Sequence, residues 1–231
     1  MAEITIDAGD GGRFTAYVAN RQKVRGPGLL LIQEIFGVNQ TMRELADDLS
    51  LNGYVVVCPD IFWRLSPGIE LDPGDPVDRD KAFGYLAAFD ADRGVDDLRA
   101  TLSHMRGMDE IAGKVGVVGY CLGGRLAYLM MTRSNADAGV SYYAVGLEKN
   151  LETAFAITKP YMAHMAGRDR FVPPSAQDAI RDAFAGNPNI SLNFFEAQEH
   201  AFARVGGDHW DARAAGIANE MTADFFRQHL M

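Results

Sequence analysis

The sequence contains few cysteines and no long apolar segment, and both absences narrow the class of protein. Its 231 residues include only Cys58 and Cys121, so no disulfide framework is expected and a reducing cytoplasm is the simplest location. No apolar stretch approaches the length of about 18 residues that a membrane-spanning helix needs. The N-terminal residues show neither a basic nor an apolar region, so no signal peptide is expected.

Positive charge is also scarce: 22 lysines and arginines face 31 acidic residues, which gives a net charge of −9. This charge balance argues against nucleic acid and against an anionic membrane as partners. Separately, the protein is expected to be a monomer. An anionic small-molecule substrate would need arginines placed at its own site. We find no cluster with metal-ligand spacing, so neither a metal nor another cofactor is expected.

Apolar runs alternate with helical patterns along the chain. The runs 29–32 and 54–58 are typical of strands covered on both faces, and the helical pattern between them predicts a parallel crossover. We therefore predict one α/β domain over residues 1–231. Its mostly parallel sheet would have about seven or eight strands, with helices on both faces. The irregular stretch 61–77 contains Phe62, Trp63 and two leucines and is interpreted as a packed cover over an active-site mouth.

The most informative segment is Gly-Tyr-Cys-Leu-Gly at 119–123, which follows a valine-rich run and precedes a helical pattern. It is the nucleophile-elbow pattern Gly-x-Ser-x-Gly with Cys121 in place of serine. At this turn the central residue is expected in strained backbone geometry at a helix N-terminus, where a thiolate is favoured. The amide of Leu122 would point at an oxyanion. An ordinary strand-to-helix turn with a buried cysteine is the alternative interpretation.

Three further side chains follow other predicted strands, and the carboxyl ends of parallel strands meet at one edge of a sheet. Asp169 and His200 come after Cys121 in the order nucleophile, acid, histidine that α/β-hydrolase triads share. His200 would move a proton to and from sulfur, and Asp169 would orient the imidazole. Taken singly, Asp169 could be a turn residue and His200 a cap.

Glu34 follows the apolar run 29–32, where an unpaired carboxylate would be costly to bury. It could form a structural ion pair with an arginine, or it could accept a hydrogen bond from the Cys121 thiol and keep the sulfur protonated. The adjacent amide of Ile35 is a candidate second oxyanion donor. Arg79 and Arg204 are candidates for binding a carboxylate, although a surface arginine can also be merely solvated.

Five segments together resemble the dienelactone hydrolase (carboxymethylenebutenolidase) family, and the resemblance covers essentially the whole chain. The two most specific are Gln-Glu-Ile-Phe-Gly-Val-Asn at 33–39 and Gly-Tyr-Cys-Leu-Gly-Gly at 119–124. The other three lie at 146–148, 171–173 and 200–204. The resemblance implies an α/β-hydrolase fold and hydrolysis of a small anionic lactone, 4-carboxymethylenebut-2-en-4-olide, to maleylacetate.

The resemblance also implies roles for particular residues. It gives the triad as Cys121, His200 and Asp169, the carboxylate that holds the thiol as Glu34, the oxyanion amides as Ile35 and Leu122, and the carboxylate-binding residues as Arg79 and Arg204. We also predict that Phe36, Phe83 and Tyr142 contact the substrate. Two positions depart from well-known members, because Phe83 and Ala201 lack the hydroxyl groups found there. Relaxed specificity is therefore more plausible.

Two other functions are compatible with these residues. One is a broader carboxylic-ester or thioester hydrolase that uses the same triad. The other is a ligand-binding or redox-sensing protein with a reactive Cys121, which would be modified without turnover. The presence of both His200 and Asp169 argues against the second.

Overall fold

Eight strands within residues 2–231 form one sheet at the centre of the protein. The computed structural model describes residues 2–231. The strands are β1 (Ala2–Asp7), β2 (Arg13–Ala19), β3 (Gly26–Ile32), β4 (Val55–Pro59), β5 (Ile111–Tyr120), β6 (Gly139–Tyr142), β7 (Tyr161–Ala166) and β8 (Ile190–Phe195). Every residue of β4, β6 and β7 is buried, as the unbroken apolar runs predict.

The strands lie in the order β1-β2-β4-β3-β5-β6-β7-β8. The pairs from β4 through β8 are all parallel, and the hairpin β1–β2 joins this parallel set through an antiparallel pairing of β2 with β4. The prediction of a mostly parallel sheet with seven or eight strands is confirmed. The ends of β3, β5, β6, β7 and β8 meet at one edge, because these strands run in the same direction.

In the part of the chain that the structure describes, six α-helices connect or flank the strands. They are α1 (Gln40–Ser50), α2 (Pro76–Ala88), α3 (Ala91–Arg106), α4 (Leu122–Arg133), α5 (Pro174–Phe184) and α6 (Ala212–Leu230). Four of them begin after an asparagine or aspartate whose side chain accepts amide hydrogen bonds from the first turn: Asn39, Asp75, Asp90 and Asp211. No helix among residues 2–231 is long and apolar enough to cross a membrane.

Two glycines show that helices cover both faces of the sheet. A Cβ atom on Gly28 would contact Met105 of α3, and a Cβ atom on Gly116 would contact Leu230 of α6. Gly116 lies beside Leu29, the residue after Gly28, in the parallel pairing of β3 with β5. Since successive residues of a strand point to opposite faces, α3 and α6 lie on opposite sides of the sheet.

The structure differs from the sequence prediction in the loop 61–77. Its aromatic residues do not cover the mouth of a pocket: Phe62 is fully buried beside α2, and Trp63 stacks on Phe14 of β2 with ring centroids 5.5 Å apart. The indole N–H of Trp63 donates to Asp97 of α3 at 2.8 Å. Of this loop, only Pro73 lines the pocket described below. The aromatic side chains therefore anchor the loop.

Candidate active site

The turn between β5 and α4 brings Cys121 to the edge of the sheet where the strand ends meet. Cys121 has φ 57° and ψ −116°, a backbone conformation that is uncommon for residues other than glycine. A Cβ atom on Gly119 would overlap the Gly123 carbonyl, and one on Gly123 would overlap the Ile32 carbonyl. The predicted strained elbow is confirmed, and both flanking glycines are required by close backbone contacts.

Cys121 lies at the N-terminus of α4, and its side chain is almost completely buried. Its own amide donates to the Tyr142 carbonyl at 3.0 Å, which ties the elbow to the end of β6. Leu122 is the first residue of the helix, so its amide has no intrahelical carbonyl to bind. The helix therefore directs an unpaired N–H and the positive end of its dipole towards the sulfur.

Asp169 and His200 form a hydrogen-bonded pair beside this elbow. His200 Nδ1 lies 2.7 Å from Asp169 Oδ2, and the other carboxylate oxygen, Oδ1, accepts the Phe171 amide at 2.9 Å. The rings of Tyr143 and Phe171 pack edge-on against the imidazole, with centroids 5.1 and 4.9 Å away. Because the carboxylate binds Nδ1–H, Nε2 is the ring nitrogen left to act on a substrate or on sulfur.

The electrostatic surroundings of His200 favour its charged form. Burial works against the imidazolium, but the Cys121 sulfur and the Asp169 carboxylate outweigh burial and raise the pKa of His200 to about 10. Cys121 and His200 line the same pocket. The imidazole is thus held in its protonated form beside the sulfur, with the aspartate fixing the ring.

Glu34 forms an ion pair with Arg204, which is 170 residues away in sequence. Arg204 Nη1 donates to Glu34 Oε2 at 3.0 Å, and the two side chains are 17% and 7% exposed. Burial disfavours the charged guanidinium, but the Glu34 carboxylate outweighs it and raises the pKa of Arg204 above its ordinary value. Within residues 2–231 no hydrogen bond joins Glu34 to the Cys121 thiol, so this structure has the ion pair and not the thiol contact.

The ion pair leaves two buried polar atoms unsatisfied. Glu34 Oε1 and Arg204 Nε have no hydrogen-bond partner among the described residues. Buried polar atoms without a partner are uncommon in folded proteins, and each calls for an explanation such as a binding or catalytic role. Glu34 therefore keeps one free carboxylate oxygen next to a pocket that contains a cysteine and a histidine.

The pocket at this edge contains most of the predicted residues. Cys121, His200, Ile35, Phe36, Arg79, Phe83 and Arg204 all line it. Arg79 reaches only the exposed Asp208, at 3.5 Å, and the Phe36 ring lies 5.4 Å from the Arg204 guanidinium. Phe83 packs against Phe171 with centroids 6.1 Å apart. The predicted residues thus bring two arginines and an aromatic wall to the pocket.

The structure corrects the prediction that Tyr142 lines the pocket. The Tyr142 side chain is completely buried, and its hydroxyl lies 2.7 Å from the Thr222 hydroxyl and donates to the Ala218 carbonyl, both on α6. The next residue, Tyr143, contacts His200 instead. Tyr143 has φ 36°, so the chain leaves the regular strand there and turns this ring towards the imidazole.

Several pocket residues were missed by the sequence prediction. The lining also includes Pro73, Leu86, Val145, Arg170, Phe171, Glu199, Asp208 and His209. Three of these lie within two residues of Asp169 or His200, so proximity in sequence to the triad was a usable signal. Asp208 and His209 lie in the segment before α6, which begins at Ala212. No group of acidic, histidine and cysteine side chains within residues 2–231 is arranged to hold a metal ion.

Comparison with known proteins gives a consistent result. The sequence model of the Dienelactone hydrolase family matches residues 14–230. A protein of Azospirillum brasilense is 44% identical over the full length of both chains. The carboxymethylenebutenolidase of Pseudomonas putida is 42% identical over 96% of this chain and 94% of its own.

Solved structures agree on the fold. A crystal structure from Klebsiella pneumoniae subsp. pneumoniae, which bears the name dienelactone hydrolase, superposes with a TM-score of 0.84. It is 21% identical and is matched over 99% of this chain and 98% of its own. The α/β hydrolase GrgF from a Penicillium species superposes with a TM-score of 0.73 at 13% identity over 99% of this chain and 98% of its own. The fold is thus an α/β-hydrolase fold. The chain belongs to the dienelactone hydrolase family and is a hydrolase of ester bonds.

Proposed function

We propose that this enzyme hydrolyses dienelactone, 4-carboxymethylenebut-2-en-4-olide, to maleylacetate through a Cys121–His200–Asp169 triad and a thioester intermediate. The observation that carries the proposal is the 2.7 Å bond between His200 and Asp169, in a pocket shared with a cysteine at a strained elbow. The carboxymethylenebutenolidase names of its relatives support the substrate.

Substrate binding would use the two arginines. The lactone carries one carboxylate, and a guanidinium binds a carboxylate through two parallel hydrogen bonds. Arg79 is available because its contact with Asp208 is long and exposed. Arg204 would exchange Glu34 for the substrate carboxylate. The bound anion would therefore break the ion pair that the resting enzyme holds.

Displacement of Glu34 would activate the nucleophile. Once Arg204 binds the substrate, the Glu34 carboxylate loses its only hydrogen-bonding partner among the described residues, and a buried free carboxylate gains by accepting a proton. The nearby Cys121 thiol can supply that proton. Thiolate would thus form only when an anionic substrate is bound, which limits reaction of the sulfur with other compounds.

The thiolate would then attack the lactone carbonyl carbon. The Leu122 and Ile35 amides would stabilise the oxyanion that develops. Collapse of the tetrahedral intermediate breaks the bond between the carbonyl carbon and the ring oxygen. The ring oxygen leaves with the electron pair as an enolate, and the acyl group remains on Cys121 as a thioester.

Hydrolysis of the thioester would depend on His200. Acylation removes the charge on sulfur, which is one of the groups that raise the pKa of His200, so the imidazole then releases its proton more easily. The departing enolate can accept that proton. Neutral Nε2 then takes a proton from water, and the resulting hydroxide adds to the thioester carbonyl carbon. The carbon–sulfur bond then breaks, sulfur leaves with the electron pair as a thiolate, and the acyl group becomes the second carboxyl group of the product. Asp169 orients the ring and stabilises the imidazolium that forms.

A broader ester or thioester hydrolase is the second candidate. It is favoured by Phe83, whose ring lines the pocket without a hydroxyl group. The two functions predict different ratios of kcat/KM between the lactone and simple esters. For dienelactone hydrolysis, the lactone should exceed neutral aryl esters such as 4-nitrophenyl acetate by at least about 100-fold, as expected when charged groups bind the substrate. Comparable values for both would support the broader function.

Two variants test the nucleophile in the same assay. Cys121→Ala should abolish turnover of every ester, whereas Cys58→Ala should retain it, because Cys58 is fully buried in β4. Substantial turnover by Cys121→Ala would contradict the triad.

We further propose that the enzyme acts as a cytoplasmic monomer on a small anionic lactone, without nucleic acid or membrane partners. Light scattering of the purified protein would test the monomer.

A further inference from the structure

The pocket holds a third arginine that the proposed reaction does not use. Arg79, Arg170 and Arg204 all line the pocket. Arg204 is paired with Glu34 at 3.0 Å and Arg79 with Asp208 at 3.5 Å. Within residues 2–231, no carboxylate oxygen lies within 4.0 Å of a guanidinium nitrogen of Arg170. It is thus the pocket cation whose charge is left uncompensated.

Arg170 is held in a defined place. Its guanidinium carbon lies 4.8 Å from the centroid of the Phe171 ring, an arrangement in which the cation is attracted to the aromatic face. The Phe171 amide is fixed by Asp169 Oδ1, and the Phe171 ring packs edge-on against His200. The same aspartate that orients the imidazole therefore also fixes the turn that carries Arg170.

The other charges at the mouth do not neutralise Arg170. Glu199 lies 3.2 Å from His209, and Asp208 faces Arg79. Arg204 lies on the Glu34 side of the pocket, because it binds Glu34. Arg170 lies on the His200 side, because it packs on the Phe171 ring, which contacts His200. A ligand with two separated negative charges would satisfy both sides at once.

We propose that Arg170 is a specificity-determining residue that binds a second carboxylate, so that the pocket recognises six-carbon dicarboxylates. The idea rests on the proposed function, because ring opening of a lactone that carries one carboxylate produces a second one. The first carboxylate would stay on Arg79 and Arg204. Arg170 would bind the other, and it would equally accept the carboxylate that hydrolysis of a dicarboxylic monoester produces.

Calorimetric binding of hexanedioate and hexanoate to the wild-type enzyme tests this inference. Both acids lack an ester bond, so their binding is independent of any turnover and of the dienelactone assay. Hexanedioate should bind more tightly than hexanoate. Arg170→Gln should weaken hexanedioate binding about three- to fivefold, the upper part of the range for an exposed ion pair, and should change hexanoate binding less than twofold.

Arg168→Gln is the matched control. Arg168 lies on the same turn and is exposed, but it does not line the pocket. Its replacement by glutamine removes the same charge as Arg170→Gln. It should leave both affinities unchanged, whereas Arg170→Lys should retain part of the preference because it keeps the charge without the planar guanidinium. Unaltered thermal unfolding of the variants would show that they fold normally.

Three results would overturn the inference. The first is equal wild-type affinity for the two acids. The second is an equal loss of hexanedioate binding in Arg168→Gln and Arg170→Gln, which would reflect only the long-range field. The third is an equal loss of both acids in Arg170→Gln, which would make Arg170 part of the first carboxylate site.

Discussion

Replacing Glu34 with glutamine separates a structural ion pair from a group that controls the thiol. The change keeps the size of the side chain but leaves Arg204 without an acidic partner. At 3.0 Å and an effective dielectric constant of about 20, the gross attraction is about 5 kcal/mol, most of which desolvation offsets. Since Arg204 is 17% exposed and faces the pocket, we expect Glu34→Gln to lower the free energy of unfolding by about 2 kcal/mol.

The catalytic consequence distinguishes the two roles. If Glu34 accepts the thiol proton, Glu34→Gln should lower kcat on dienelactone by at least about 100-fold, the usual effect of losing a general base. If the pair is only structural, stability should fall while kcat stays near the wild-type value. Urea unfolding measures the first quantity and steady-state kinetics measures the second.

Glu44→Gln is a suitable control, because this exposed carboxylate lies on α1 and also loses one negative charge. It should alter neither quantity appreciably. A Glu34→Gln variant that keeps wild-type kcat would refute the gating role. A loss of less than about 0.5 kcal/mol would refute the claim that the pair stabilises the fold, since that lies within the range of surface substitutions.

Three further predictions concern other parts of the fold. Asp169→Asn should lower kcat by about 10⁴-fold, because the amide cannot stabilise the imidazolium, while urea unfolding changes far less. Gly119→Ala should disrupt the elbow and abolish activity, because its Cβ atom would overlap the Gly123 carbonyl. Gly84→Ala, where a Cβ atom on α2 meets no other atom, should raise the free energy of unfolding in urea by about 1 kcal/mol. Burial lowers the pKa of His164 to about 3, so the unfolded chain binds a proton that the folded protein does not between pH 6.5 and 3. Stability therefore falls as the pH falls through this range, and His164→Phe should make that fall shallower by about 1.4 kcal/mol per pH unit.

Much of the fold follows from local sequence patterns. The strand β4 is an unbroken apolar run, and such runs predict strands covered on both faces. The elbow could be predicted because two glycines and a cysteine stand between a strand pattern and a helix pattern. Its strained backbone is a local property, which the structure confirms at Cys121.

Contacts between distant parts of the chain could not be predicted in the same way. Glu34 and Arg204 are 170 residues apart, and the sequence alone does not select one arginine from 22 basic residues. The prediction for Tyr142 was wrong for a related reason. Strand alternation puts Tyr142 and Tyr143 on opposite faces, but the turn at Tyr143 and the contacts with α6 decide which ring reaches His200.

The most direct measurement of the central claim is the chemical identity of the acyl-enzyme. The enzyme would be mixed with excess dienelactone, quenched in acid within the first turnover, digested and analysed by mass spectrometry. The account predicts a mass increase equal to the intact lactone on the peptide that carries Cys121, and its loss on treatment with neutral hydroxylamine, which cleaves thioesters. Acylation of a different residue, or full turnover by the Cys121→Ala variant, would contradict it.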